Sequence, residues 1–344
     1  MTVGCVLSKA LLRCANAVAA TGGTASVPNI FGLKDAPYLT NATTFNLTEL
    51  PERLGVIGAG PIGLEMAQAF QRFGSRVTVL SRRDKILPKE GPQAAQIVEA
   101  ALRRDGVTFV HNVTFRSVQC RDGKRPITVH VEDDGGERAL EFDALLVATG
   151  REPTVKGVGL ESAGIEYDER TGVTVNDRMQ TSNPDVYAVG DGASRYQFTH
   201  MSDFEARLVI RNALFYGRDR FSKFIIPWAT YTDPEVAHVG LYERDLEAQR
   251  IEFVTFSQEL GDVDRAIVDG ETEGFVKVHV KKGTDQILRT TIVASHAGDM
   301  ISEIVFDLTA VRAPLPSPDT AESSSAVFPP RPLGGFATNR RLPR

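Results

Sequence analysis

The sequence is poor in cysteine and tryptophan, and it has no long apolar runs. Its 344 residues include three cysteines and one tryptophan. Three cysteines cannot build the disulfide framework of a secreted protein, so a reducing compartment, the cytoplasm, is expected. No apolar stretch approaches the ~20 residues of a membrane span, so we expect no membrane partner. The net charge of −5 argues against a nucleic-acid partner.

Two further absences concern the N-terminus and metal binding. The first acidic residue is Asp35, and Lys9 and Arg13 precede it. Because organellar transit peptides are amphipathic and poor in acids, organellar targeting is the alternative to a cytoplasmic location. The roughly helical spacing of the apolar residues in this segment predicts one short helix over 1–20.

No group of His, Cys, Asp and Glu has metal-ligand spacing, so no metal site is predicted.

A glycine-rich turn between two apolar strands is the most informative feature of the chain. Residues 54–83 have the pattern of a strand, a turn, a helix and a second strand, with G-x-G-x-x-G in the turn. In such a context the first glycine permits the turn, the second admits a pyrophosphate, and the third lets helix and strand pack closely. The predicted pyrophosphate-binding residues are Gly58, Gly60, Pro61, Ile62 and Gly63.

The end of the second strand bears on the choice of dinucleotide. Folds that bind NAD usually place an acidic residue there, but Ser81 occupies this position and Arg82 and Arg83 follow. A guanidinium suits the 2′-phosphate of NADP, so NADP is favoured over NAD. The alternative is that both arginines are solvated loop charges.

The remaining pattern predicts an α/β protein. A helix over 93–104, a strand over 107–110, a hairpin over 128–143 and a buried strand over 145–148 indicate a parallel sheet with crossovers. Residues 225–308 indicate an α+β unit. Residues 311–344 hold seven prolines and two acids, a composition typical of disorder.

Five stretches, in order, give the chain a family resemblance. They are A-T-G at 20–22 with V-P-N-I-F-G-L at 27–33, the glycine-rich motif at 58–67, A-T-G-R-E-P at 148–153, the Gly-Asp motif ending at 191, and T-D-P-E-V-A at 232–237. This series resembles the flavoprotein pyridine nucleotide-disulfide oxidoreductases, in particular their mercuric reductase-like and dihydrolipoyl dehydrogenase-like members.

The resemblance implies a Rossmann-like dinucleotide-binding domain within a partial flavin domain, plus an α+β dimerisation domain. The expected domains are a remnant of the FAD-binding domain at 1–50, an NAD(P)-binding domain at 51–150, an FAD-domain return segment at 151–222, an incomplete dimerisation domain at 223–310 and a disordered tail at 311–344. A homodimer is the expected assembly.

The resemblance also implies catalytic residues. V-G-C-V-L-S-K at 3–9 is similar to the second half of the family's redox motif, which places Cys5 on the flavin-facing cysteine. Lys9 resembles the lysine that pairs with a glutamate near the flavin, and Glu65 resembles that glutamate. The alternative for this pair is two unrelated surface charges.

The remaining predicted cofactor contacts are implied in the same way. Thr149 and Gly150 of the second A-T-G motif are expected to bind a cofactor, and Gly190, Asp191, Thr199 and His200 are expected to lie beside the flavin, with Asp191 accepting from its ribityl chain. Thr199 and His200 are expected just before a helix predicted over 204–215, whose N-terminus stabilises negative charge on the flavin. His200 is expected to act as a backbone donor and not as an acid–base catalyst.

The chain departs from the family pattern in four places. The flavin domain's own glycine motif, the exchange cysteine before Met1, much of the flavin domain and the terminal His-Pro motif are missing. The prediction is an FAD- and NADPH-dependent oxidoreductase with a small-molecule or disulfide electron acceptor, impaired in this chain. The alternative is an inactive NADP-binding remnant or an incomplete gene product.

Overall fold

The structure, a computed structural model, describes residues 17–121 and 123–310. The predictions for Cys5, Lys9 and the 311–344 segment lie outside these residues. The strands are β1 Ala17–Ala19, β2 Gly23–Ala25, β3 Arg53–Ile57, β4 Arg76–Leu80, β5 Thr108–Val110, β6 Thr114–Arg121, β7 Lys124–Asp133, β8 Gly136–Phe142, β9 Ala144–Val147, β10 Arg151–Pro153, β11 Tyr167–Asp168, β12 Gly172–Val173, β13 Val186–Ala188, β14 Pro227–Thr230, β15 Glu235–Gly240, β16 Phe253–Glu259, β17 Phe275–Lys281 and β18 Ile287–Ala294. The helices are α1 Pro61–Phe73, α2 Pro92–Arg104, α3 Thr199–Leu214, α4 Glu243–Ala248, α5 Asp264–Asp269 and α6 Ala297–Ala310.

A parallel sheet forms the first module. Its strand order is β5-β4-β3-β9, and Ile57 of β3 pairs with Leu80 of β4 and Val147 of β9. Strand β3 is buried over four of its five residues, as expected for a parallel strand covered on both faces. The helix predicted over 93–104 is confirmed as α2, and the predicted hairpin as β7 and β8. The glycine-rich turn directly follows β3, at the carboxyl end of the parallel strands, where a dinucleotide fold binds its ligand.

Short strands from distant parts of the chain form the second module. Strand β1 pairs in parallel with β13, and β2 pairs antiparallel with β10. The prediction of one helix over 1–20 is therefore wrong at its described end, because Ala17–Ala19 is a strand. The backbone there bonds to β13, and this tertiary pairing overrides the local helical spacing.

An antiparallel sheet with the order β14-β15-β18-β17-β16 forms the third module. Helix α6 packs against it, with Ala297 and Ile301 buried beside Val239 and Ile292. The α+β unit predicted over 225–308 is confirmed. One buried cluster includes residues of the first sheet, such as Leu54, together with Val236 and Phe275 of the third module. The two sheets thus share a core.

Candidate nucleotide and flavin sites

The glycine-rich turn has the geometry that its motif predicts. Gly58 has φ +111°, and a Cβ there would lie 2.4 Å from the carbonyl oxygen of Ala148. A Cβ on Gly63 would lie 2.3 Å from the carbonyl oxygen of Gly58. Only glycine fits these two positions, because one needs a left-handed backbone and both lie against main-chain atoms.

Gly60 is different, because an added Cβ would meet no atom within 4 Å. Its φ of −88° is open to any residue, so neither backbone strain nor packing requires a glycine there. The space above Gly60 is next to the start of α1, with Pro61 as the first helical residue. The amides of Ile62 and Gly63 lack intrahelical acceptors, as in the first turn of any helix, and can bind an anion.

The end of β4 lies beside this turn. The amide of Gly58 donates to the carbonyl of Leu80 at 3.0 Å, and Ser81 follows. Ser81 is buried, and its Oγ accepts from the amide of Arg83 at 3.1 Å. Arg82 and Arg83 are exposed, and the Arg82 guanidinium carbon lies 5.7 Å from the centre of the Phe115 ring. The hydrogen bond from the Arg83 amide to the buried Ser81 hydroxyl thus fixes the backbone from which the two cationic side chains extend.

Glu65 lies on α1 and faces the third module. Its carboxylate accepts from the amide of Tyr231 at 2.9 Å. Burial raises the pKa of Glu65, and the hydrogen bond from Tyr231 partly opposes this. The main-chain amide of Tyr231 therefore holds the Glu65 carboxylate in place. Its proposed partner Lys9 is outside the described residues, so the predicted pair stays a prediction.

The structure brings the Gly-Asp motif against the first A-T-G segment. Asp191 Oδ2 accepts from Arg151 Nε at 2.8 Å, and Arg151 Nη2 donates to the carbonyl of Gly23 at 2.7 Å. Gly190 has φ +74°, and its amide donates to Glu205 Oε2 at 2.7 Å. Glu205 is fully buried, and burial raises its pKa. Motifs that are up to 170 residues apart in the sequence therefore form one polar corner.

The second A-T-G segment is hydrogen-bonded to the chain just after β2. Thr149 Oγ1 donates to the carbonyl of Ser26 at 2.7 Å, and the amide of Ser26 donates to the carbonyl of Gly150 at 2.9 Å. Gly150 has φ +119°. Thr149 and Gly150 therefore connect the first and second modules in this structure.

Helix α3 begins at Thr199, five residues before the predicted start at Phe204, so Thr199 and His200 lie in its first turn. The His200 ring stacks on Phe198, and its Nε2 lies 3.1 Å from the carbonyl oxygen of Pro227, to which it donates. The role expected for His200, a backbone donor and not an acid–base catalyst, stays a prediction. The first amides of α3 point out of the helix N-terminus.

Sequence reasoning missed three polar residues of this region. Arg151 pairs with Asp191, Glu205 accepts from Gly190, and Glu90 is buried between the first and third modules. Arg151 lies inside a motif that pointed to the site. No sequence signal marks Glu90, because its partners Trp228 and Tyr242 are more than 130 residues away. Glu205 lies only 15 residues from its partner Gly190, but no motif marks it.

Two family models match the chain. The model of the pyridine nucleotide-disulphide oxidoreductases matches residues 4–206, and that of their dimerisation domain matches residues 226–314. The chain belongs to this family. Its fold class is therefore the one that the motifs predict, and the family's members use FAD and a pyridine nucleotide.

Individual relatives agree with this assignment. The chain is 34% identical to a mercuric reductase of Staphylococcus aureus over 282 residues, which are 82% of this chain and 51% of that protein. It is 35% identical to a mercuric reductase of Streptomyces lividans over 301 residues, which are 88% of this chain and 63% of that protein. The chain thus spans about half the length of the curated relatives it matches.

Solved structures show the same fold. The HOCl-induced flavoprotein disulfide reductase RclA from Escherichia coli has a TM-score of 0.78 and 27% identity, over 90% of this chain and 72% of that chain. LpdA from Mycobacterium tuberculosis has a TM-score of 0.76 and 26% identity, over 85% of this chain and 62% of that chain. Within the described residues, no helix is long and apolar enough to cross a membrane, and no group of three or more His, Cys, Asp and Glu is arranged to hold a metal ion.

Proposed function

We propose that this chain binds NADPH at the glycine-rich turn and FAD at the corner formed by Gly190 and Asp191. It would then act as an FAD-dependent NADPH oxidoreductase on a sulfur group or a metal-ion acceptor, as the names of its mercuric reductase relatives suggest. The observation that carries the proposal is the open space above Gly60, because the two flanking glycines are required by packing and this one is not.

The residues present fit a dinucleotide at this turn. A pyrophosphate placed above Gly60 meets first-turn amides and the positive end of the α1 dipole. Arg82 and Arg83 extend from the end of β4, where the adenosine ribose of a bound dinucleotide lies in this fold. The arginines favour NADPH over NADH because each guanidinium offers several coplanar N–H donors to the 2′-phosphate, which NADH lacks.

The residues of the second module also fit part of a flavin site. Asp191 is held by Arg151 with a second oxygen left to accept a hydroxyl, and the N-terminus of α3 offers partial positive charge. Asp191 and the first turn of α3 would hold FAD, which would supply the redox chemistry between the nicotinamide and the acceptor. Cys5, Lys9 and Glu65 are the proposed catalytic residues of the chain, by resemblance.

A matched pair of glycine variants tests nucleotide binding. Gly60→Ala is expected to fold normally and to weaken both NADPH and NADH by about tenfold or more (~1.4 kcal/mol), since its methyl group enters the pyrophosphate space. Gly63→Ala is expected to lower the unfolding midpoint as well, because its methyl group meets the Gly58 carbonyl. Titration calorimetry and urea unfolding measure the two effects.

Wild-type-like binding by the folded Gly60→Ala protein would contradict the proposed site. The colour of the purified protein tests the flavin part separately. A yellow preparation supports the oxidoreductase, whereas a colourless protein that binds NADPH supports the alternative of a nucleotide-binding remnant.

A homodimer is proposed from the match to the dimerisation domain at 226–314. Sedimentation velocity over a range of protein concentrations tests it. A single species with the mass of one 37.5 kDa chain at all concentrations would count against the dimer.

A further inference from the structure

We propose that Glu90 is a positioning residue for the nucleotide. Through Trp228 and Tyr242 it holds the 81–91 loop, which carries Arg82 and Arg83, in the orientation that binds the 2′-phosphate. The inference deepens the proposed NADPH site and rests on it. The sheet of the third module would thus set the geometry of the adenosine end of the nucleotide site.

Glu90 joins the loop to the third module through both of its carboxylate oxygens. Oε1 accepts from Trp228 Nε1 at 3.0 Å, and Oε2 accepts from the Tyr242 hydroxyl at 3.0 Å. Trp228 lies in β14, and Tyr242 directly precedes α4. Glu90 is only 7% exposed, so its carboxylate depends on these two donors in place of water.

The rest of the loop is fixed to the glycine-rich turn. Ile86 and Leu87 are buried in the core shared by the two sheets. The amide of Leu87 donates to the carbonyl of Ala59 at 2.9 Å. Leu87 also has φ +44°, a left-handed conformation that is costly for leucine and persists only where its surroundings force it. The loop is therefore held at both ends, and its exposed tip between them carries the arginines.

A buried carboxylate is a poor device for stability alone. Removing a carboxylate from water costs free energy, and its new hydrogen bonds do little more than balance this cost. An apolar side chain of similar size at such a position often makes the protein just as stable. A carboxylate with two directional partners fixes one arrangement of the loop against the sheet. Burial raises the pKa of Glu90, with the donors Trp228 and Tyr242 and the positive charge of Arg244 opposing the rise.

The aromatic partners are themselves fixed. The rings of Trp228 and Tyr242 both pack on His238, with centroids 4.7 and 4.1 Å away. His238 is fully buried and bonded to Thr291 Oγ1 at 2.8 Å. Trp228 lies in the edge strand β14 and Tyr242 in the loop after β15, but both rings pack on the buried His238 of the inner strand β15. This packing holds the two donors to Glu90 in place, so they can act as a fixed reference for the loop.

Nucleotide binding by the full chain tests the inference. Glu90→Ala is expected to weaken NADPH by roughly 3- to 10-fold and NADH by less than about 2-fold, the scale of coupling through a positioning residue. Glu90→Gln is expected to restore binding, because its amide oxygen accepts from Trp228 and its amide nitrogen donates to the Tyr242 oxygen. Titration calorimetry with each nucleotide gives both dissociation constants.

Glu273→Ala is the matched control. Glu273 also joins the first and third modules, because its carboxylate accepts from Nη1 and Nη2 of Arg104, but it does not touch the loop. This variant is expected to bind both nucleotides as the wild type does. If Glu90→Ala does not fold, Tyr242→Phe removes one of the two hydrogen bonds and keeps the ring, and it is expected to show a smaller loss with NADPH only.

The outcomes separate the two proposals. Equal weakening of NADPH and NADH by Glu90→Ala, or none, overturns the positioning role while leaving the nucleotide site intact. A wild-type protein that binds neither nucleotide overturns the proposed function, and the positioning role with it. Failure of Glu90→Gln to restore binding also counts against the role assigned to the two hydrogen bonds.

Discussion

The two exposed guanidinium groups after Ser81 make the sharpest prediction about a side chain. Arg82→Glu is expected to weaken NADPH binding more than NADH binding by about 1–3 kcal/mol, because a charge-assisted contact to the 2′-phosphate is lost. The contact between Arg82 and Phe115 does not prevent this, since an exposed cation–π pair contributes only about 0.5–1 kcal/mol. Titration calorimetry with both nucleotides measures the difference.

Arg170→Glu is the control for this charge reversal. Arg170 is exposed, and it lies in the turn between β11 and β12. The variant changes the net charge by the same amount and is expected to leave both affinities unchanged. Equal losses of NADPH and NADH in Arg82→Glu would contradict the assignment of the 2′-phosphate to this arginine.

His238 makes a prediction about pH. Burial, followed by the positive charge of Arg289, lowers the pKa of His238 to about 3, well below the 6.5 of an unperturbed histidine. The unfolded state therefore binds the proton first, and this group's contribution to the free energy of unfolding is lost as the pH falls from 6.5 towards 3, by at most about 1.4 kcal/mol per pH unit.

The variant His238→Gln isolates this contribution. It is expected to be less stable than the wild type at pH 7.5, and the difference is expected to shrink between pH 6 and 4.5. Glu90 and Glu205, whose raised pKa values act in the opposite sense, are present in both proteins. Urea unfolding at each pH measures the difference, and a gap that is independent of pH would refute the argument.

The contact between α1 and the turn that joins β14 to β15 depends on Gln68. Its Nε2 donates to Asp105 Oδ2 at 2.8 Å and to the carbonyl of Asp233 at 2.9 Å, and its Oε1 accepts from the amide of Asp233 at 2.8 Å. Gln68 is 4% exposed. Gln68→Ala is expected to lower the free energy of unfolding by about 1–3 kcal/mol, because three hydrogen bonds made by a buried side chain are lost.

Arg72→Ala is the comparison for this helix. Arg72 pairs with Asp105 and Asp233, but nearly half of its side chain is exposed. An exposed pair contributes about 0–1 kcal/mol, so the expected loss is smaller than that of Gln68→Ala. Urea unfolding of both variants settles the order, and a larger loss for Arg72→Ala would show that the ion pairs dominate.

Local pattern predicts those parts of the fold whose partners are near in the chain. The turn at 58–63 and the strand before it are encoded within a dozen residues, so glycine spacing and apolar runs identify them. Ala17–Ala19 was mispredicted because its partner β13 lies about 170 residues away. A segment of three residues has no local period that distinguishes a strand from a helix.

The same distinction applies to the candidate site. The close packing of Gly58 and Gly63 is predictable from the motif, because it depends on the backbone at those positions, whereas their role in nucleotide binding and that of Ser81 stay predictions. The contact of Glu90 with Trp228 joins residues 138 positions apart, and that with Tyr242 spans 152 positions. Nothing near Glu90 in the sequence distinguishes a buried carboxylate from a solvated loop charge, so only the folded structure reveals it.

The first and third modules are joined by more than one kind of contact. They share an apolar cluster that includes Leu54, Val236 and Phe275. Polar contacts between them, through Gln68, Glu90 and other side chains, flank this cluster. Two sheets that share a core lose that core together, so we expect the first and third modules to unfold in one cooperative transition.

The lone tryptophan makes this expectation testable with the nucleotide. Trp228 lies in the third module, whereas the glycine-rich turn lies in the first. Free NADPH at 100 times its dissociation constant is expected to raise the free energy of unfolding by about 2.7 kcal/mol. If the modules unfold together, urea titrations followed by Trp228 fluorescence and by far-ultraviolet circular dichroism shift by the same amount. A shift seen by circular dichroism alone would refute the shared transition. A common shift means that a nucleotide bound at Gly60 also stabilises β14 against unfolding. This requires that the shared core and its polar contacts hold the two sheets together as one unit.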